Sequence, residues 1–192
     1  MRFRKGRGGR VTADVEPVEA AVLGQCAADL LALLADDEPD EPDEPGAAPD
    51  SRAQDPLAAL VGMPSGPVEA PEDPALQRLL PDGYGDDDPE ASRELRRYTD
   101  ADLRGGKRAH AGTVLATLPG EGGKLVLDRD EADAWLGCLN DLRLVLGTRR
   151  DVTEDLDPDG LAVDDPRRQA LQVYGWLGWL QESLISCLSP RR

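Results

Sequence analysis

The chain has 192 residues and a formal net charge of −16, with 38 acidic side chains against 22 lysines and arginines. That length fits one domain of ordinary size plus some disordered sequence, and that charge argues against nonspecific attraction to nucleic acid or an anionic membrane. No run of about 18 apolar residues occurs, so no spanning helix is expected; the basic N-terminus leads into Gly6-Arg7-Gly8-Gly9, so no signal peptide is expected and the cytoplasm is the default.

Residues 2–5 and 10–15 have strand character on either side of those glycines and read as a β-hairpin, which must pack on something to persist. Glu16-Pro17 opens a helix to about residue 35, since proline's missing N–H would have no helical partner in a first turn. Val18, Val22, Cys26, Leu30, Leu33 and Leu34 fall on or near one face of it. Residues 36–50, DDEPDEPDEPGAAPD, carry eight acids and no base. Such sequence cannot bury enough apolar area to offset ordering entropy, and its prolines block a helix, so 36 to about 54 is expected to be a disordered insert. Asp55-Pro56 caps a short helix to Val61, a loop over 63–71 follows, and Asp73-Pro74 opens a second short helix over 75–80. Asp88 as N-cap, with Pro89 in the first turn, starts a helix to about Tyr98. Thr99 with Asp102 three residues on reads as a capping box for the next helix. That helix carries Leu103, Ala111, Val114, Leu115 and Leu118, and Gly105-Gly106 weaken it.

Leu125-Val126-Leu127 is read as one extra short strand beside the hairpin. Asp128 caps a helix through Leu146, with Glu131 at its third position and Trp135, Leu139, Leu142 and Leu146 on one face. A polar loop over 151–163 precedes the last helix, which Asp165-Pro166 starts and Pro190 ends. Val173, Trp176, Leu177, Leu180, Leu184, Cys187 and Leu188 form its apolar stripe. The fold class expected is mainly α: a helical bundle-like single domain with a small N-terminal β-hairpin and the extra strand. Residues 1–35 supply the hairpin and first helix, 36–54 the acidic insert, and 55–192 the remainder.

No catalytic constellation is legible. The one histidine, His110, has no HxxxH or HExxH partner; there is no GxSxG elbow, no Walker spacing at 120–124, and no EF-hand pattern around Asp86-Asp87-Asp88. No enzyme activity, cofactor or metal is expected. Cys26, Cys138 and Cys187 are far apart without a CxxC, and each sits where a helix would face its core. They become redox candidates only if folding makes a thiolate accessible near positive charge and a second thiol. Arg93, Arg96, Arg97, Arg104, Lys107 and Arg108 form one basic cluster, and Arg2, Arg4, Lys5, Arg7 and Arg10 on the hairpin form another. Either can meet phosphate or an acidic partner; acids near the first, at 86–90, can neutralise it instead, and the second can protect a sheet edge. Asn140, Asp141 and Arg143, with Arg149, Arg96 and Arg97, are candidates for binding a partner, or for a polar network that fixes helix packing.

The run LNDLRLVLGTR at 139–149, with Leu79-Leu80-Pro81-Asp82, Arg96-Arg97-Tyr98-Thr99 and residues 174–184, resembles an actinobacterial family. It is catalogued as domain of unknown function two-thousand-and-seventeen, and some of its members are described as AosR-like oxidative-stress transcriptional regulators. The resemblance implies a cytoplasmic protein, often encoded beside the ClpS adaptor of regulated proteolysis. It further implies thiol oxidation to an intramolecular disulfide, association with an RNA polymerase sigma factor, and gene activation. That switch uses two cysteines close together in the chain, a pair missing here. Any disulfide would have to join Cys138 to Cys26 or Cys187. The resulting expectation is a nonenzymatic regulator with a protein partner. The alternatives are a direct DNA-binding regulator using both basic clusters, and an accessory protein in regulated proteolysis.

Overall fold

A computed structural model describes residues 1–35, 69–84, 88–150, 162 and 165–189. Three strands form one antiparallel sheet: β1 (Arg4–Lys5), β2 (Val11–Val15) and β3 (Gly123–Leu127), in that spatial order, with Thr12 opposite Arg4 on one side and Val126 on the other. Alternation decides which face is covered: Val11, Ala13, Val15, Leu125 and Leu127 point into the protein, and Val126 points out. The hairpin turns through Gly8 and Gly9, whose φ of 67° and 79° lie in the left-handed region that suits glycine. The extra strand expected at 125–127 is present, two residues longer, and its pairing with β2 gives the hairpin its support.

Among the described residues five helices pack with the sheet into one body: α1 (Pro17–Leu33), α2 (Pro74–Leu79), α3 (Pro89–Thr117), α4 (Arg129–Arg149) and α5 (Pro166–Leu188). The mainly α class read from the sequence is the one observed. α4 is central, packing on all four other helices. Its start is the capping box expected, with the Glu131 N–H on the Asp128 carboxylate at 2.9 Å and the Asp128 N–H on Glu131 at 2.8 Å. Trp135 is fully buried, meets the Phe3 ring edge-on at 5.7 Å, and donates its indole N–H to the Thr117 hydroxyl at 2.8 Å. One apolar core thus joins hairpin, sheet and helices.

Three expectations are corrected. The break after Tyr98 does not exist, because α3 runs unbroken from Pro89 to Thr117. Thr99 caps nothing; its hydroxyl donates back to the Leu95 carbonyl at 3.1 Å, as a mid-helix threonine does. Asp100 pairs with Arg96 one turn before and Arg104 one turn after, so i,i+4 ion pairs cross the point where the sequence suggests a stop. On α1 the buried line is Ala20, Leu23, Ala27 and Leu30, continued by Leu34, while Val18 is exposed and Val22 and Cys26 are half-buried. The small alanines on that line let α1 lie close against α3. On α3, Leu103 and Leu115 are exposed rather than core, because Ser92, Arg96, Ala111 and Val114 hold the inward positions. The expected insert at 36–54, the helix over 55–61 and most of the loops at 63–71 and 151–163 lie outside the described residues.

Candidate functional site

The polar residues of α4 are pulled apart by the fold. Asp141 is 2% exposed and accepts from the Lys107 ammonium of α3 at 2.7 Å, a nearly buried ion pair that joins α3 to α4. Arg143 faces α5: its guanidinium donates to the Gln181 side-chain carbonyl at 2.7 Å and to the Tyr174 hydroxyl at 3.3 Å, and lies 5.0 Å from the centre of the Tyr174 ring. Gly178 admits that guanidinium, since a Cβ there would stand 3.4 Å from Arg143 Nε. Arg149 pairs with Asp73 at 2.6 Å, tying the end of α4 to the N-cap of α2. Asn140 and the end residue Arg149 are exposed, whereas Asp141 is buried and Arg143 half-buried. Asp141, Arg143 and Arg149 therefore bind helices to one another, as the packing-network alternative read from the sequence has it.

All three thiols are free. Cys138 is buried, and its pKa is pushed up to about 12 by burial, by the Asp141 carboxylate and by nearby Cys26. Burial and then Asp29 raise the Cys26 thiol. Burial also raises Cys187, although Lys5 and Arg2 oppose it. None of the three environments favours the thiolate that reacts with an oxidant.

The two basic clusters have opposite fates. Arg93 pairs with Glu69, Arg97 with Glu94, Arg104 with Asp100 and Lys107 with Asp141. Arg96, only 6% exposed, donates to Asp82 at 2.5 Å, to the Leu80 carbonyl at 3.2 Å and to Asp100 at 3.4 Å. Most of the cluster is thus paired with acids inside the fold, while Asp86 and Asp87 of the run the sequence suggests lie outside the described residues. On the hairpin, Arg2, Arg7 and Arg10 are exposed and make no ion pair among the described residues, while Arg4 meets Asp14 at 3.5 Å and Lys5 donates to the Ser189 carbonyl.

Beside Arg96 lies a feature that residue-by-residue reading missed. A cleft of about 410 Å³ opens between the segment Leu80-Pro81-Asp82-Gly83 and the first half of α3, lined there by Leu95, Thr99, Asp102 and Leu103 among others. Leu95, Thr99 and Leu103 are four residues apart, one row along a helix. That signal was present in the sequence, but a helix boundary placed after Tyr98 cuts it in two. Among the described residues, no group of three or more histidine, cysteine or acidic side chains could hold a metal ion, and no helix is long and apolar enough to cross a membrane.

The family model described as "Domain of unknown function (DUF2017)" matches residues 1–188. The chain belongs to that family. It is 34% identical over 197 residues to a Mycobacterium tuberculosis protein named "Oxidative stress regulator AosR", covering 96% of this chain and 85% of that one. The protein of that name from Mycobacterium bovis matches to the same degree. A Mycobacterium leprae protein that also bears the AosR designation is 32% identical over 199 residues, covering 97% of this chain and 86% of that one. No solved structure matches the chain at a significant level.

Proposed function

We propose that this protein is a nonenzymatic regulator of the response to oxidative stress, acting through contact with another protein. The observation that carries this reading is the similarity along 96% of the chain to proteins named for that role. The internal pairing of the cations on α3 supports it, because it leaves an acid-dominated surface that suits a protein partner better than a nucleic acid. An RNA polymerase sigma factor is the partner class that the family resemblance points to. Cross-linking in cells before and after peroxide, followed by mass spectrometry of what is captured, tests the reading. Recovery of a transcription protein is expected; recovery of none in either state would overturn it.

The thiols enter this reading as a separate question. With its pKa pushed up to about 12 by burial, by Asp141 and by Cys26, Cys138 is held as the neutral thiol at pH 7, the form that reacts slowly with an oxidant. Peptide mapping after mild peroxide is expected to find Cys26 and Cys187 modified before Cys138. A disulfide from Cys138 to either of the others would establish a redox switch.

The hairpin favours one second reading, direct contact with DNA, because Arg2, Arg7 and Arg10 are exposed and unpaired among the described residues. Phosphate contacts strengthen as salt is lowered, so a gel-shift titration at low ionic strength decides. Absence of any shifted band there removes this alternative.

A further inference from the structure

We propose that the cleft beside Arg96 is a docking groove for a cationic amphipathic helix of a partner protein; the proposal rests on the reading of this protein as one that works by contact. The floor of the cleft is apolar, built from Leu80 and Pro81 on one wall and Leu95 and Leu103 of α3 on the other. Leu95 and Leu103 are 36% and 44% exposed, and α3 adds Tyr98 at 51%. A long polar helix that leaves large apolar side chains in solvent along one stretch has the form of a surface awaiting a complementary apolar stripe.

Charge selects the occupant. The lining carries Asp82, Asp100 and Asp102 with one cation, Arg96, and Arg104 just outside it also pairs with Asp100, so Asp102 supplies the free negative charge. The Arg96 guanidinium is already held by Asp82, Asp100 and the Leu80 carbonyl, so it has little to offer an incoming anion. Asp102 is exposed and makes no ion pair among the described residues. A groove with an apolar floor and an acidic rim fits a helix with leucine-like residues on one face and lysine or arginine at its borders. Nucleic acid is repelled by that rim. A second copy of this chain would bring another net charge of −16 toward it, which disfavours self-docking. A small molecule needs convergent unsatisfied polar groups to orient it, and the buried polar group here, Arg96, is satisfied within the fold.

The test uses the full chain and a fluorescent peptide of leucine and lysine about 15 residues long, with leucines three and four apart, beside a scrambled peptide of identical composition. Anisotropy titration is expected to show the amphipathic peptide binding at least about tenfold more tightly than the scrambled one. The double change Leu95→Gln, Leu103→Gln is expected to weaken it by about tenfold or more, and Asp102→Lys by about threefold. Ile185→Gln, which removes an exposed apolar side chain on α5 outside the cleft, is expected to leave binding unchanged. Circular dichroism of each variant confirms the fold, and Asp102→Lys keeps the test decisive if the double variant is destabilised. Equal binding of the scrambled peptide, or affinity unmoved by both sets of cleft substitutions, overturns the proposal. Self-association seen in sedimentation velocity and abolished by Leu103→Gln overturns it too, in favour of a second copy as occupant. If a transcription partner is captured in cells equally well by the cleft variants, the groove is wrong while the regulatory reading stands.

Discussion

Along α3, the C-terminal half buries Ala111 and Val114 and sets the Thr117 hydroxyl to receive the Trp135 indole N–H, whereas the N-terminal half buries Ser92 and Arg96 and leaves Leu95, Tyr98 and Leu103 in solvent. One half is fastened mainly by apolar area, which requires only that water be excluded and the shapes fit, with the single nearly buried Lys107–Asp141 pair near its start. The other is fastened by ion pairs, each of small net value when partly hydrated. Using charge for attachment frees the apolar side chains of that half to face outward. A single helix can in this way anchor a domain at one end and present a surface at the other.

The comparison breaks most visibly at Trp135. Trp135→Ala removes the largest fully buried side chain and its contact with Phe3, so urea unfolding is expected to show a loss of about 3–5 kcal/mol. A loss under 1 kcal/mol would mean that the C-terminal half of α3 is not set in a tight core. Next is the seam between α3 and α4. Asp141→Ala strands the Lys107 ammonium in a mostly buried place and is expected to cost about 2–4 kcal/mol, whereas pairing Asp141→Leu with Lys107→Met recovers most of that. Thermal melts of the single and double variants measure the difference.

Arg96→Ala sharpens the contrast within α3. It removes the guanidinium shared by Asp82 and Asp100, and about 1–2 kcal/mol is expected, less than at Trp135 because both carboxylates regain water. Hydrogen exchange is expected to quicken in the first half of α3 and not in the second. The smallest effect is at the N-cap of α2. Burial pushes the Asp73 carboxyl up, but the Ala75 N–H and the Arg149 guanidinium outweigh it and hold the pKa below 3.8. A depressed folded-state pKa means stabilisation that is complete above 3.8 and lost as pH falls through the folded value. Asp73→Ala is therefore expected to cost about 1 kcal/mol at neutral pH, a gap that closes as unfolding is measured at progressively lower pH below 3.8.

Local patterns in the chain were enough to specify each described element's type and most of their ends. The Asp73-Pro74, Asp88-Pro89, Asp128 to Glu131 and Asp165-Pro166 starts each appear in the structure as a capped helix, because a cap is a contact between near neighbours. The third strand was visible too, as the apolar run Leu125-Val126-Leu127, though not its first two residues, Gly123 and Lys124. What local pattern could not settle was which of two adjacent helix faces lies inward, as on α1, where Leu23 and Ala27 rather than Val22 and Cys26 face the core. Nor could it foresee that Asp100 would carry α3 through a predicted stop, or that Arg96 would find Asp82 and Leu80 across a loop. Those outcomes depend on residues distant in the chain meeting at hydrogen-bond range. Pairwise distance in space, unlike spacing in sequence, exists only once the helices have packed.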